Sequence, residues 1–320
     1  MLPKIQKVID SDQCISCGAC HHICPKSNIS LEFNEFRNVH EAKVLNQSLC
    51  EGCHRPCDEV CPSIDVSFEK WDFDRLGPLK EVFIGGFSSF RENGISSSGG
   101  VVRAIISQAL QEDKDVISLC KTKDNFPAHY EAVLFDDITN INKLPGSIYH
   151  SVSFFDAISH IENSKKELVL VSIPCHLEGI TKYFMKKDQK LLDKIILKVG
   201  IICGWSYTNL SYKNFCASTN IDSVKVKDIS YRGQNKIGYL ELSCEEDTYS
   251  FDRRNFNSPR EELRYRSSFS SDMNRSRCLQ CQNHLNVQSD ISIGDAWLKR
   301  LGSKKESIIL TRSIQGEAFL

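Results

Sequence analysis

The spacing of apolar residues changes character three times along this chain. Over roughly the first quarter the apolar positions are few, and SLEFNEF and HEAKVLN read as short strands around a polar turn. After RLGPLKE, punctuated by Gly77 and Pro78, the runs lengthen. EVFIGGF, VISLC, YEAVLF, ELVLVSIP and IILKVGIIC read as strands, while VVRAIISQALQE, VSFFDAISHIENS, HLEGITKYFMKK and LSYKNFCAS space their apolar residues for helices. Strands alternating with helices predict a largely parallel or mixed sheet covered by helices. From about residue 224 the pattern shifts again, and VKVKDISYRG, KIGYLELSC and DTYSFD predict an antiparallel meander; SIILTRS adds a late strand. The fold class expected is α+β / α/β, with a small cysteine-bearing domain over residues 1–75 and a mixed α/β domain over 76–320.

Charge narrows the function classes. The formal net charge of the 320 residues is −1, with acidic and basic side chains interspersed. No basic stripe points to nucleic acid and no lysine-rich segment to a membrane surface. The longest apolar stretches fall well short of the roughly 20 residues a membrane-spanning helix needs. MLPKIQKVIDSDQC has neither an apolar core nor a small-residue cleavage site, so no secretory leader is expected there. Fifteen cysteines without such a leader imply a reducing cytoplasm and metal ligation rather than a disulfide framework.

Most of those cysteines are ordered into runs. Cys14, Cys17, Cys20 and Cys24 stand as C-x2-C-x2-C-x3-C before Pro25, and Cys50, Cys53, Cys57 and Cys61 as C-x2-C-x3-C-x3-C before Pro62. Four soft thiolates at tight spacing, closed by Cys-Pro, are the signature of a bacterial-type ferredoxin with two 4Fe–4S clusters. Zinc is the rival, since C-x2-C pairs also build four-cysteine sites. Zinc pairs are separated by a loop, however, whereas here three ligands crowd together ahead of the Cys-Pro. The C-x3-C-x2-C order of enzymes that cleave S-adenosylmethionine is absent. In a two-cluster ferredoxin the fourth cysteine of each run serves the other run's cluster. The expected sets are therefore Cys14, Cys17, Cys20 with Cys61, and Cys50, Cys53, Cys57 with Cys24. The second run carries one extra residue before Cys57, which loosens that loop. Gly18, Ala19 and Gly52 suit loops whose backbone N–H groups approach cluster sulfurs.

Seven cysteines lie further on. Cys120, Cys216 and Cys244 are single cysteines in apolar segments and read as structural. Cys175 in IPCHLEG and Cys203 in IICGW close predicted strands, where ligand sites of α/β sheets gather, and Cys278 and Cys281 form a C-x2-C. These four would complete a third 4Fe–4S cluster; free thiols or a small zinc site is the alternative. His176 and His284, beside them, read as hydrogen-bonded residues rather than ligands. ISSSGGVV sets glycines and hydroxyls at a helix N-terminus, which suits a phosphate such as that of a flavin, or a plain N-cap.

Taken in order behind a two-cluster ferredoxin stretch, ISSSGGVVRAI, IPCHLEGI, GIICG, SRCLQCQ and DISIGDAW resemble the coenzyme F-420 hydrogenase/dehydrogenase beta-subunit family over nearly the whole chain. The resemblance implies an iron–sulfur flavoprotein oxidoreductase that takes electrons from ferredoxin or a redox partner subunit and passes them through clusters to FAD and a small organic substrate. In archaeal members that substrate is the deazaflavin coenzyme; a plant relative reduces a hydroxymethyl chlorophyll. By the same resemblance Ser97, Ser98, Gly99 and Gly100 lie near the flavin, Cys175, Cys203, Cys278 and Cys281 hold the flavin-proximal cluster, and Gly294 and Asp295 help to shape the site. The chain is shorter than many members, which bears on the substrate pocket and on flavin. The competing class is a non-catalytic electron-transfer subunit with two clusters and no flavin.

Overall fold

The computed structural model describes residues 3–64, 76–91, 96–121, 129–232, 238–245, 247–296, 298 and 305–320. The expected boundary at residue 75, Ile95 of ISSSGG and Trp297 of SIGDAW lie outside them.

The cysteine-bearing part begins with α1 (Lys4–Asp10), whose Ile5, Val8 and Ile9 recur at helical spacing and are buried. Then come α2 (Ala19–Ile23), β1 (Ile29–Asn34), β2 (Val39–Val44) and α3 (Pro56–Val60). β1 and β2 pair antiparallel, Ile29 opposite Val44, as their alternation predicts. The core here joins Ile5, Val8, Ile9, Ile29 and Ala42 to the thiols of Cys14, Cys20, Cys57 and Cys61. So few apolar side chains bury little surface, which is why domains of this size usually lean on bound metal.

The rest of the chain runs β3 (Glu81–Gly85), α4 (Ser88–Arg91), α5 (Val101–Gln111), β4 (Asp115–Lys121), β5 (Tyr130–Phe135), α6 (Ala157–Asn163) and β6 (Leu168–Ser172). It continues with α7 (Pro174–Lys187), α8 (Gln189–Leu192), β7 (Ile195–Ile201), α9 (Leu210–Ser218), β8 (Asp228–Ser230), β9 (Tyr239–Ser243) and β10 (Thr248–Asp252). α10 (Pro259–Ser268), β11 (Ile291–Asp295), β12 (Ser307–Thr311) and α11 (Ile314–Ala318) complete it. Seven strands form one mixed sheet in the order β3-β12-β11-β7-β6-β4-β5. Its centre is parallel, and β12 and β5 run antiparallel to the neighbours they extend. Side chains alternate between the faces as the pleat requires. Ile117, Leu168 and Leu170 pack with α6 and α7 through Ile158, Ile161, Ile180 and Phe184. Val116, Val169 and Val171 turn the other way, onto Val101, Ile105 and Ala109 of α5. The predicted meander is a separate three-stranded antiparallel sheet, β10-β9-β8.

Two expectations need correction. VSFFDAISHIENS is helical only from Ala157. Its first part stays extended because its backbone pairs sideways: Ser153 N–H donates to the Tyr130 carbonyl (3.0 Å) and Phe154 N–H to that of Ser16 (3.0 Å). Cys175 does not close a strand, because β6 ends at Ser172. Pro174 stands at the first helical position, where its missing N–H costs nothing, so Cys175 lies in the first turn of α7.

The two parts share a core. Ile15, Cys17, Ala19 and Val60 pack into the same apolar cluster as Phe154, Leu177, Ile180 and Phe184. Gly179, one turn after Cys175 on α7, is what permits the approach: a Cβ there would lie 2.7 Å from the Cys17 sulfur. Gly179→Val should therefore destabilise the protein by ~1–3 kcal/mol through overpacking, and shift Cys17 enough to lower bound iron. Thermal unfolding and an iron assay check both; unchanged values would mean that the approach is not tight.

Candidate functional site

None of the fifteen cysteines is in a disulfide. Twelve of them gather in three places, and the groups follow the crossed scheme rather than the sequence runs. Cys61, from the second run, lies in Coulombic reach of Cys14, and its thiol is pushed up to about 12, by burial first. Cys17 is raised by burial, then by Cys61 and Cys14. Cys20 is raised well above its ordinary value by burial, then by Cys14, Cys17 and Cys61, with Cys57 the smallest contributor. Cys57 answers to the other set: burial pushes it to about 12, with Asp58 and then Cys24, Cys50 and Cys53 adding to the rise. Asn28 joins that second set directly. Its backbone N–H donates to the Cys24 sulfur (3.4 Å) and its side-chain amide to the Cys50 sulfur (3.5 Å). Ala42 N–H donates to Cys14 Sγ (3.3 Å) and Arg55 N–H to Cys53 Sγ (3.4 Å).

The extra residue of the second run is absorbed locally. Arg55 takes φ 57°, a left-handed conformation that turns the chain so that Pro56 opens α3 and Cys57 faces inward, buried. In the first run Gly18 does the equivalent work at φ 80°, its α-carbon pressed on the Phe155 backbone.

The third group forms where β6 and β7 end. Cys175 lies in the first turn of α7, Cys203 follows β7, Cys278 begins the single 3₁₀ turn Cys278–Gln280, and Cys281 follows that turn. Cys203 N–H donates to the His284 carbonyl (2.9 Å), and Ser206 N–H donates to Cys278 Sγ (3.3 Å), so the two segments are pinned side by side. Burial raises the Cys175 thiol well above its ordinary value, with Cys203, Cys278 and Cys281 next and Cys17 last. Cys203 is pushed to about 12 by burial and by Cys278 and Cys281. All four thiols line one cavity of about 220 Å³. Among the described residues no three His, Cys, Asp or Glu side chains converge tightly enough to hold a single metal ion. Zinc at about 2.3 Å from each sulfur would draw four thiols to about 3.8 Å of one another; a cubane, with iron at each ligated corner, holds them farther apart.

Cys216 is buried in the core of the three-stranded sheet beside Cys244, while Cys120 and Cys244 are half-buried. His176 Nε2 bonds to the Ile15 carbonyl (2.8 Å) and its ring stacks on Phe154. His284 Nδ1 bonds to the Cys203 carbonyl (2.9 Å).

Ser97, Ser98, Gly99, Gly100 and Asp295 come together at one end of the large sheet. Gly100, at φ 79°, caps α5. Ser307 stands opposite Asp295 in the β11–β12 ladder, and its hydroxyl meets Ser98 Oγ (3.2 Å) and accepts from Gly99 N–H (3.2 Å). Ser97 Oγ accepts from Ser147 N–H (3.0 Å), and Asp295 pairs with the buried Arg232. The backbone of Gly99 lies flat on Gly85 and Gly86, where any Cβ would clash. In the sequence only the GG of EVFIGGF signals that contact. Lys305 Nζ donates to the Ser96 carbonyl (3.2 Å), and Ser96 Oγ is buried without a hydrogen-bond partner among the described residues.

Sequence reasoning missed Arg275 and Arg277, which precede Cys278. Arg277 donates to the Pro62 carbonyl (3.2 Å), next to Cys61. Arg275 is buried and reaches the loop of Cys14. Only the pair of arginines before a C-x2-C marks them in the sequence.

Residues 6–68 match the family model of the 4Fe-4S dicluster domain, and residues 165–320 match that of the C terminus of the coenzyme F420 hydrogenase/dehydrogenase beta subunit. The chain is 26% identical over 212 residues to the F subunit of the F(420)H(2) dehydrogenase of Methanosarcina mazei, covering 65% of this chain and 58% of that protein. It is 24% identical over 251 residues to the coenzyme F420-dependent sulfite reductase of Methanocaldococcus jannaschii, covering 74% of this chain and 38% of that one. It thus spans less than two thirds of either relative. A chain of the F420-reducing NiFe hydrogenase complex of Methanosarcina barkeri superposes with a TM-score of 0.59 at 14% identity, over 77% of this chain and 79% of that one, a likeness of fold. No helix among the described residues is long and apolar enough to cross a membrane. The chain is thus similar to a 4Fe–4S dicluster domain over residues 6–68 and to the C terminus of the coenzyme F420 hydrogenase/dehydrogenase beta subunit over residues 165–320.

Proposed function

We propose that the chain is an iron–sulfur flavoprotein oxidoreductase of the cytoplasm, which passes electrons from a ferredoxin or a redox partner subunit through three 4Fe–4S clusters to FAD and a small organic substrate. The observation that carries this reading is the third cysteine group: four thiols line one cavity, and Cys175 within it lies in reach of Cys17 of the first set. In this reading Cys24, Cys50, Cys53 and Cys57 hold a distal cluster, Cys14, Cys17, Cys20 and Cys61 a middle one, and Cys175, Cys203, Cys278 and Cys281 the third. Burial raises the thiols of Cys57, Cys61 and Cys203, so binding iron there must displace their protons, and ligation and folding of this part are linked. The chain supplies the N–H donors that offset charge on the sulfurs, from Asn28, Ala42, Arg55 and Ser206, and an apolar wall that excludes water.

A flavin would convert single electrons into pairs. Ser98 Oγ and Gly99 N–H already serve Ser307, so α5 offers a phosphate less than the sequence suggests. The groups beside them that suit an anion are Lys305 and the hydroxyl of Ser96, which has no partner among the described residues, whereas Arg232 is already paired with Asp295. The relatives' names make coenzyme F420 the first substrate to assay. The test of this arm is the flavin released by acid from anaerobically purified chain. One flavin per chain is expected, and clusters without flavin would make the chain a non-catalytic electron-transfer subunit.

A further inference from the structure

Arg275 is a buried cation that meets no counter-charge among the described residues. It is 4% exposed, and its guanidinium donates only to neutral oxygens: Ser16 Oγ (3.3 Å), Ser151 Oγ (3.3 Å), the His40 carbonyl (3.0 Å) and the Cys14 carbonyl. No carboxylate pairs with it among the described residues, and its Nε is buried with no hydrogen-bond partner there. Burying an unpaired charge is costly enough that proteins rarely do it without an opposite charge nearby. The nearby histidines cannot supply the missing charge, since an imidazole is either neutral or cationic. Of the other cations near the first set, Lys182 is paired with Glu178 at 3.2 Å and Arg277 donates to the Pro62 carbonyl at 3.2 Å.

Arg275 instead bridges the backbones of two cysteine groups. It holds the carbonyl of Cys14, its own carbonyl accepts from Cys278 N–H (2.9 Å), and it lines the cavity of the third group. A cubane core with four thiolates carries a net charge of about −2, and about −3 once reduced. Two such anions side by side repel, and each added electron worsens the repulsion. Resting on the three-cluster reading, we propose that Arg275 is the positioning residue and fixed counter-charge between the middle and third clusters, raising the reduction potentials of both so that one electron can pass from one to the other. In each such pass one cluster is oxidised by one electron and its neighbour reduced by one, with no proton required.

Redox titration of the cluster-loaded full chain, monitored by electron paramagnetic resonance, tests this with an internal control. Arg275→Gln should lower the midpoint potentials of the middle and third clusters by at least a tenfold change in the reduction equilibrium, about 59 mV for one electron. The distal cluster of Cys24, Cys50, Cys53 and Cys57 should keep its potential, and Arg275→Lys should restore most of the shift. No shift, or an equal shift in all three, would overturn the proposal. If Arg275→Gln fails to retain iron, Arg275→Lys decides: retained iron at near-native potentials supports the charge role, and loss of both refutes it. A wild type holding only two clusters would sink the three-cluster reading, and the middle cluster's potential would still report on Arg275.

Discussion

Replacing Cys278 and Cys281 together with serine should remove about four irons from a native content of about twelve and leave the two N-terminal clusters intact. The effect is large because serine oxygen is a hard ligand that holds cubane iron poorly, and because both changes strike one group. The rest of the molecule should survive. The pair sits on a short turn at the rim of the cavity, with Cys281 half-buried and Leu279 between them exposed, whereas the apolar cluster that joins the two parts runs through Phe154, Ile180 and Phe184. Iron, acid-labile sulfide and the spectrum of the variant check it. Unchanged iron would mean that these thiols ligate nothing.

The second large effect separates crossed from uncrossed ligation. Cys61→Ser should empty the middle cluster, held otherwise by Cys14, Cys17 and Cys20, although Cys61 belongs to the second run. Adding Cys14→Ser to Cys61→Ser should then cost nothing further, for a total loss of about four irons. Adding Cys50→Ser to Cys61→Ser should strike a second cluster, for a loss of about eight. If each run served its own cluster, the two double variants would exchange these results. The crossed outcome is expected from Cys61 lying in reach of Cys14 and Cys17, and from Asn28 donating to both Cys24 and Cys50. Both double variants should also melt at lower temperature, since Cys14, Cys20, Cys57 and Cys61 make up much of the small N-terminal core.

Much of this is legible in the residues alone, for a physical reason. Cysteine spacing records how chain must wrap a cluster, and apolar period records which face of a strand or helix is buried, so both are local. Ile117 and Val116 turning to opposite faces of β4, and the meander of β8 to β10, follow from period alone. Interactions distant in sequence are not legible. VSFF has a helical pattern because nothing nearby shows that Phe154 N–H bonds to Ser16, 138 positions earlier by subtraction of the two numbers. Cys175 has the pattern of a strand's last residue, and only the fold shows Pro174 opening α7. Arg275 has the pattern of one more surface charge, and only the fold buries it against Cys14. The SSSGG loop has the pattern of an open anion cradle; Ser307, more than two hundred residues away, already occupies part of it.

We propose that twelve of the fifteen cysteines hold three cubanes. The most direct test is to count iron and acid-labile sulfide per chain in protein purified without oxygen. About twelve of each are expected, from three clusters of four. About eight of each would contradict a third cluster, and zinc in place of sulfide would contradict the account as a whole.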